Sequence, residues 1–312
     1  MLSSLSNKKL GAIFGALLIM VLLFIVLDGD KNERTFRENL VDIDTSAVTA
    51  IKIYPKTTNH NEVYLFNEND QWNVKLDNGK TAGVTDQKIK GLLDQLLSIK
   101  PKRLASRNVD KWNEMQVDTT GTRVVVYEGS DETLDIVLGR FTFKQPRSMN
   151  TFVRLSDDSD VYEVDGFLDM TFNQNANSYR DGTVTNDDFN SWSRLSFSYP
   201  ADSSFQLSKQ GDYWFANNSQ TDSLTTVIAL RQLAKITGND FVDEIDPGQL
   251  GNPTHKLSID SEKLGEITIE GFYQDAENMI IRSSQNPEAL IDGAKNKLFD
   301  KVFVGQSKFF KK

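Results

Sequence analysis

The feature that most constrains this chain is an apolar segment near its start. Leu10 to Leu27 contains no charged residue and no proline. As a helix rising about 1.5 Å per residue, it spans about 27 Å, close to the hydrocarbon thickness of a bilayer. A cleaved signal peptide has a shorter apolar core that ends in small residues, whereas this segment enters Asp28 directly from Phe24–Leu27. The pattern predicts an uncleaved transmembrane helix at residues 10–27.

The charges that flank this segment predict its orientation. Lys8 and Lys9 precede it, and Asp28 and Asp30 follow it. Because positive charge stays in the cytoplasm, residues 1–9 are expected there. In a bacterium with two membranes, the chain would then cross the inner (cytoplasmic) membrane once, with a periplasmic C-terminal region. Residues 28–44 are polar and are predicted to form a tether, which as a flexible coil averages about 20–25 Å in length.

Charge and residue usage exclude several function classes. After Leu27 the chain carries all 44 acidic residues and 33 of the 35 basic ones, a net charge of −11. So acidic a domain repels phosphate backbones, which argues against nucleic-acid binding. The absence of cysteine excludes disulfides, thiol catalysis and cysteine-bound metals. Only His60 and His255 could supply the imidazole that acid–base catalysis uses most often, and no cofactor or metal is expected.

The pattern of the remaining residues predicts two copies of one structural unit. Residues 48–55 alternate apolar and polar side chains and stop at a proline, as a half-buried strand does, and residues 192–200 repeat this pattern. Each is followed by a predicted strand pair whose second member holds a tryptophan, Trp72 or Trp214. Aromatic residues at matched strand positions usually pack in a core, so we interpret both tryptophans as core residues.

Predicted helices and hairpins continue the repeat. Asp86 and Asp222 each precede apolar residues at helical spacing, and aspartate caps a helix N-terminus well because its carboxylate accepts first-turn amides. Hairpins are predicted within residues 123–139 and 256–271. The sequence therefore predicts an α+β fold, a duplicated unit of antiparallel β-strands with packed helices, preceded by one N-terminal transmembrane helix. The repeats are assigned to residues 45–186 and 187–312.

Several short motifs, in order, resemble a known family. They are Lys111–Val117, Gly121–Tyr127, Leu138–Phe141, Thr151–Leu155, Val161–Leu168 and Ser178–Asp181. In this order they resemble a bacterial family known only as domain of unknown function 4340. The resemblance implies an N-terminal anchor, a domain facing away from the cytoplasm and genes that accompany ABC-type transport components of gliding or export systems. It brings no catalytic residues.

Four residues are candidate partner or ligand contacts. Arg180 and Asp181 close the first repeat; the alternative is a structural ion pair at the junction, with Gly182 supplying a turn. Arg154 and Arg282 occupy equivalent strand positions. They could line an anion site between the repeats, although solvent-facing alternation also accounts for them.

The remaining acidic motifs favour structural interpretations. Residues 157–160 lack the frame of a calcium loop and are read as a hairpin turn, and residues 187–188 are read as a linker. The sequence contains no Gly-x-x-x-x-Gly-Lys-Ser/Thr phosphate-binding loop, no Gly-x-Ser-x-Gly nucleophile motif and no His-Glu-x-x-His zinc-binding motif. We therefore expect a non-catalytic protein.

The function expected from these observations is that of an accessory protein. It would be tethered to the membrane through residues 10–27 and bind a membrane protein complex of a transport or cell-envelope assembly, with ABC-type transport components as partners. The alternative is a module that binds envelope glycan or another small ligand in the cleft between the repeats. A third class is an envelope hydrolase that uses carboxylates.

Overall fold

The computed structural model describes residues 14–18, 37–144, 148–275 and 277–311. They divide into two compact units: Met1–Val48 with Leu93–Phe172, and Thr49–Leu92 with Asn173–Lys312. The predicted transmembrane helix at residues 10–27 lies outside the described residues except for residues 14–18, which are helical. Within the described ranges, no helix combines the length and apolar character needed to cross a bilayer.

The chain forms antiparallel β-sheets with a minority of helices, an α+β fold as predicted. The strands are β1 Val48–Tyr54, β2 Val63–Glu68, β3 Gln71–Lys75, β4 Thr81–Gly83, β5 Pro101–Ser106, β6 Thr122–Glu128, β7 Asp131–Lys144, β8 Ser148–Leu155, β9 Val161–Asp165, β10 Thr183–Asn186, β11 Trp192–Ser198, β12 Phe205–Gln210, β13 Tyr213–Ala216, β14 Ser219–Gln220, β15 Lys235–Thr237, β16 His255–Ser261, β17 Gly265–Tyr273, β18 Met279–Ser283 and β19 Asn286–Asp292. The helices are α1 Asp86–Leu97, α2 Trp112–Met115, α3 Asp169–Phe172, α4 Ala176–Tyr179, α5 Ser223–Leu233 and α6 Leu298–Val302.

In the first unit, the strands are hydrogen-bonded in the order β6-β7-β8-β9-β5, and every neighbouring pair is antiparallel. β8 is buried at every residue from Asn150 to Leu155, so both of its faces are covered. One face carries a cluster of buried side chains against which Trp112 and Met115 pack. The cluster consists of Val117, Val137, Phe152 and Val161. Because both faces of β8 are covered, its one basic side chain, Arg154, is buried.

The predicted tether is partly packed against this unit. Leu40 is 6% and Ile43 9% exposed, and the amide of Asp44 donates to Oε1 of Glu128 at 2.8 Å. The structure therefore places residues 40–44, the end of the predicted tether, on the folded body.

In the second unit, β1 to β4 lie in the order β4-β3-β2-β1, and an eight-stranded antiparallel sheet has the order β14-β13-β12-β11-β16-β17-β18-β19. β10 and β15 form a separate pair. The core of the larger sheet holds Trp192, Phe197 and Trp214 against α5 and α6. Trp72 is also buried, at 9% exposure, so both predicted core tryptophans are confirmed.

The same strand order occurs twice along the chain. The order β4-β3-β2-β1 corresponds to β14-β13-β12-β11, and β6-β7-β8-β9 corresponds to β16-β17-β18-β19. A helix follows the fourth strand in both cases, α1 after β4 and α5 after β14. The turn between β2 and β3 is formed by Asn69 and Asp70, both at positive φ, as a tight hairpin turn requires. This correspondence is one of topology, and the repeat boundary at residues 186/187 stays a prediction.

Candidate functional site

Arg180 lies at the centre of the candidate site, just after a short helix. Asn175 caps α4 by accepting a hydrogen bond from the amide of Ser178, and the helix ends at Tyr179. Tyr179 is buried, and burial raises the pKa of its phenol far above the ordinary value. The helix thus ends on a buried aromatic side chain, and Arg180 follows directly after it.

The guanidinium of Arg180 binds Asp243 through two parallel hydrogen bonds. Nη1 donates to Oδ2 at 2.7 Å and Nη2 donates to Oδ1 at 2.8 Å. Nη1 also donates to Oδ1 of Asn177 at 3.2 Å, and the guanidinium lies 3.7 Å from the ring centroid of Phe241. The Arg180 side chain is 5% exposed and that of Asp243 is 29% exposed. Such two-pronged pairs fix geometry as well as charge.

The expected pairing of Arg180 with Asp181 is wrong. Oδ1 of Asp181 instead accepts a hydrogen bond from the amide of Thr183 at 2.8 Å. The backbone of Asp181 ties two distant strands together: its amide donates to the carbonyl of Gly83, and its carbonyl accepts from Nδ2 of Asn286 at 2.7 Å. Asp181 thus positions the backbone beside Arg180 rather than neutralising it.

A lysine supports the same loop from α1. Nζ of Lys88 donates to the carbonyl of Arg180 at 2.5 Å and to that of Ser178 at 3.1 Å. Burial lowers the pKa of Lys88, and the charge of Asp181 opposes this effect. Two of the three donors of the ammonium are thus used by carbonyl oxygens of this loop.

Asp243 is positioned by a segment that runs beside β19. The amide of Val242 donates to the carbonyl of Leu290 at 2.9 Å, and the amide of Asp292 donates to the carbonyl of Asp240 at 2.8 Å. These backbone bonds direct the carboxylate of Asp243 toward Arg180. The strand edge therefore determines where the counter-charge lies.

A cavity of about 170 Å³ adjoins this ion pair. Its lining comes from both halves of the chain: β4 and the Arg180–Asp181 loop from the first, and residues 242–247 with β19 from the second. Cavities of about 260 and 520 Å³ also lie beside the segment 239–245. A more open one of about 650 Å³ lies by Asp187 and Arg231. Residues 239–245 are therefore flanked by three concave surfaces.

Two glycines allow the backbone to close around the site. The amide of Gly238 donates to the carbonyl of Gly182 at 2.8 Å. A Cβ on Gly182 would lie 1.8 Å from the carbonyl oxygen of Gly238, a distance that no side chain can occupy. Gly182 therefore permits close approach of two backbone segments rather than supplying the predicted turn.

For Arg154, the prediction of a solvent-facing side chain is wrong. It is 7% exposed, and its guanidinium lies 3.9 Å from the ring centroid of Trp112. Nε donates to the carbonyl of Val117 at 2.9 Å, and Nη1 donates to the carbonyls of residues 155, 156 and 158. Burial lowers its pKa, opposed most by the charge of Asp135. Arg154 closes the acidic turn 157–160 over β8 and stabilises the fold.

Arg282 lies at the corresponding position on β18 but in different surroundings. Its Nε and Nη2 donate to Oε2 of Glu270 on β17 at 2.9 and 2.6 Å. Nη1 donates to the carbonyl of Pro247 at 3.2 Å. The side chain is 29% exposed, and three of its five donors are occupied by neighbouring groups. Of the four candidates, only Arg180 and Asp181 line the same cavity.

The structure also bears on metal binding. In the part of the chain that the structure describes, no group of three or more His, Asp or Glu side chains is arranged to hold a metal ion. In the acidic turn, Oδ1 of Asp158 accepts from the amide of Asp160 at 3.1 Å, and the same two carboxylates pair with Arg37 and Arg107. The hairpin-turn interpretation of residues 157–160 is therefore confirmed.

Sequence reasoning missed Asp243, Phe241 and Lys88. Asp243 lies 63 residues from Arg180 in the chain, and it belongs to no periodic apolar pattern. No local signal in the sequence could have paired the two residues. For Lys88, the helical spacing of α1 defined an apolar face but not which neighbour its polar face would meet.

Comparison with known proteins identifies the family. One family model, described as domain of unknown function (DUF4340), matches residues 72–258, more than half of the 312 residues. The chain belongs to the DUF4340 family. The match begins at Trp72 and extends past the predicted repeat boundary to Ser258, so it includes more of the second half than the motif resemblance did. No curated protein matches this DUF4340 chain, and no solved structure matches it.

Proposed function

We propose that this DUF4340 protein is a non-catalytic accessory protein, tethered to the inner membrane by residues 10–27, that binds a membrane protein complex on the periplasmic side. The observation that carries the proposal is the cavity beside Arg180 and Asp243, whose lining comes from both halves of the chain. The uncharged N-terminal segment and the short connection to Leu40 supply the tether.

The size of the cavity favours a protein side chain as its occupant. At about 170 Å³, it is close to an engineered cavity of about 150 Å³ that holds a single benzene ring. Sites for drug-sized ligands occupy about 300–1,000 Å³. A cavity this small suits one inserted side chain, as protein interfaces use when a partner's anchor residue fills a pocket.

The charges around the cavity argue for binding rather than for chemistry. The guanidinium of Arg180 is neutralised by Asp243 in a fixed geometry, and Asp181 holds the backbone through the amide of Thr183. Groups engaged in this way are poorly placed to take up or release protons during a reaction. They instead form a rigid wall on which a partner can dock.

We further propose that the recurrent strand order reflects an internal duplication. The correspondence of eight strands in the same order, each set with a helix after its fourth strand, supports it. In this interpretation, the cavity lies where the two copies meet. The association with ABC-type transport components of gliding or export systems is part of the proposal and comes from the family resemblance alone.

Site-directed photocrosslinking in living cells tests the proposed partner. A photoreactive amino acid at Ile245, which lines the cavity and is 36% exposed, is compared with one at Tyr213, which is 53% exposed and lines none of the four cavities. We expect mass spectrometry to identify a membrane-complex protein crosslinked through Ile245 and absent from the Tyr213 sample. No such product at Ile245, or the same products at both positions, would contradict the proposal.

A second candidate function is binding of envelope glycan or another small ligand in the same cavity. The observation that favours it is the set of polar side chains in the cavity lining, among them Arg180, Asn286 and Glu288. A thermal-shift screen with monosaccharides and amino acids distinguishes the two functions. A ligand at a hundred times its Kd would stabilise the chain by about 2.7 kcal/mol. Glu288→Gln, which changes an exposed lining residue, should reduce that shift if the ligand occupies this cavity.

A further inference from the structure

β7 and β8 extend beyond the strands on either side of them. β6 pairs with β7 only as far as Leu138, and β9 pairs with β8 only from Asn150 onward. β7 and β8 remain paired with each other beyond Leu138, from Phe141 opposite Thr151 to Lys144 opposite Ser148, and at Ser148 and Met149 β8 has also passed the end of β9. We call residues 141–144 and 148–149 the hairpin arm.

One face of the hairpin arm is apolar and open to solvent. Phe141 is 45%, Phe143 56% and Met149 48% exposed. The register places Phe143 opposite Met149, and alternation along the strand places Phe141 on the same face as Phe143. The ring of Phe141 is supported by Phe167, with the centroids 4.6 Å apart. Three large apolar side chains thus share one exposed face of the arm.

The sequence around the arm is basic in an acidic protein. Residues 136–153 contain three basic residues, Arg140, Lys144 and Arg147, and no Asp or Glu, whereas the chain after Leu27 has a net charge of −11. Arg140, at the base of the arm, is exposed, and its guanidinium lies over the ring of Phe152, 5.8 Å from the centroid. Apolar side chains beside basic ones are the composition that binds the interface of an anionic bilayer.

We infer that the hairpin arm docks on the surface of an anionic phospholipid bilayer. Phe141, Phe143 and Met149 enter the boundary between headgroups and acyl chains, and Arg140 contacts lipid phosphates. An acidic protein partner is disfavoured by size: stable protein interfaces bury about 1,000 Å² or more, which a two-stranded arm with three apolar side chains does not supply. Interfacial docking needs only a small apolar area combined with charge.

This inference adds a second membrane contact to the proposed function and depends on the tether only for keeping the arm near the bilayer. The effect of charge follows from the attraction of one basic residue to an anionic surface. That attraction corresponds to about a fivefold change in the equilibrium constant for docking per residue. Arg140→Gln should therefore reduce docking about fivefold in anionic bilayers and have little effect in neutral ones.

The absence of cysteine from the native chain allows a direct test. The full chain carrying Met149→Cys, labelled with an environment-sensitive fluorophore, is reconstituted in phosphatidylcholine bilayers with and without phosphatidylglycerol. The matched control is Ser130→Cys, which precedes Asp131 at the opposite end of β7. An extended strand of this length separates the two labels by about 40 Å. Flotation of the bilayers measures the tether, and nitroxide lipids that quench the fluorophore measure the arm.

We expect a blue-shifted emission and quenching by nitroxide lipids for Met149→Cys in bilayers with phosphatidylglycerol. The shift should be smaller in phosphatidylcholine alone, decrease with added salt, and be lost in Phe141→Ser/Phe143→Ser. The Ser130→Cys label should remain in water throughout. A Met149→Cys label that stays in water in the anionic bilayers overturns the inference, and so do equal signals from both labels.

Failure of the tether is distinguishable from failure of the arm. A chain that does not float with phosphatidylcholine bilayers contradicts the proposed anchor at residues 10–27. The arm is then tested by adding the same vesicles to that soluble chain. A blue shift at Met149→Cys with anionic vesicles alone still supports the inference, and no shift overturns it.

Discussion

Replacing Asp243 with asparagine removes the counter-charge of a guanidinium that is almost fully enclosed. Arg180 would keep its contact with Phe241 and one hydrogen bond to Asn177, but it would lose the charged partner of two hydrogen bonds. The opposite change, Arg180→Met, leaves a carboxylate that is 29% exposed and can reach water. The two single variants should therefore differ in stability.

The magnitudes follow from this difference in burial. Breaking a buried ion pair by removing one partner costs about 3–5 kcal/mol, and because Asp243 is partly exposed we expect about 3 kcal/mol for Asp243→Asn. Arg180→Met should cost less, about 1–2 kcal/mol, because methionine still packs on Phe241 and the freed carboxylate is solvated. The double variant should be about as stable as Arg180→Met alone. The coupling energy between the two sites then equals the cost of Asp243→Asn, about 3 kcal/mol.

The assay is equilibrium unfolding in urea followed by tryptophan fluorescence. Three of the four tryptophans, Trp72, Trp192 and Trp214, lie in the same unit as Arg180, and Trp112 lies in the other, so most of the emission reports on the unit that contains Arg180. Equal m-values across the four proteins would show that the extent of unfolding is unchanged. The pair Arg194–Asp260 in the same unit is the control, at 3.8 Å with side chains 56% and 46% exposed.

The control pair should show a coupling energy of about 0–0.5 kcal/mol. If Asp243→Asn costs no more than the Asp260→Asn control, burial of the Arg180 guanidinium does not have the energetic role assigned to it. A coupling energy below about 0.5 kcal/mol between Arg180 and Asp243 would refute the reasoning in the same way.

Three further predictions concern other parts of the chain. Gly182→Ala should lower the free energy of unfolding by about 2 kcal/mol or more in urea titrations, because its Cβ would meet the Gly238 carbonyl. The control is Gly91→Ala, where a Cβ meets open space on a helix. It should raise the free energy of unfolding by about 0.5–1 kcal/mol. Burial lowers the pKa of His255 below 6.5, so below that pH the unfolded chain binds more protons than the folded chain and the protein loses stability as the pH falls. The melting temperature of His255→Gln should therefore fall less steeply with acidification than that of the native protein. Parallel profiles of melting temperature against pH would disprove this. Phe143→Ser should change stability by less than about 0.5 kcal/mol, and a larger loss of melting temperature would show that the arm packs within the fold.

Local patterns in the sequence predicted much of the secondary structure. The alternating segments that begin at Val48 and Trp192 form β1 and β11. Asp222 caps α5 by accepting from the amide of Thr225. Asp86 instead begins α1 as its first residue. Each of these features depends on neighbours within a few residues, which a sequence pattern records directly.

Local sequence patterns could not predict contacts between residues that are far apart in the chain. Alternation on β8 indicated which residues share a face, but not that both faces would be covered, so the burial of Arg154 was not foreseen. Asp187 was interpreted as part of a linker, yet it is buried and accepts a hydrogen bond from Nε1 of Trp192 at 2.8 Å. Burial opposes ionisation there, but the hydrogen bonds, led by that of Ser261, lower the pKa of Asp187.

The tether and its orientation are the central claim, and cysteine labelling tests them most directly because the native chain has no cysteine. Ser130→Cys lies on an exposed turn and Ser4→Cys precedes Lys8. Intact cells are treated with a maleimide that crosses the outer membrane but not the inner one, and the membranes are then separated. The account predicts that Ser130→Cys is labelled in the membrane fraction, and that Ser4→Cys is labelled only after the inner membrane is permeabilised. Labelling of Ser4→Cys in intact cells, or recovery of labelled Ser130→Cys as free soluble protein, would contradict it.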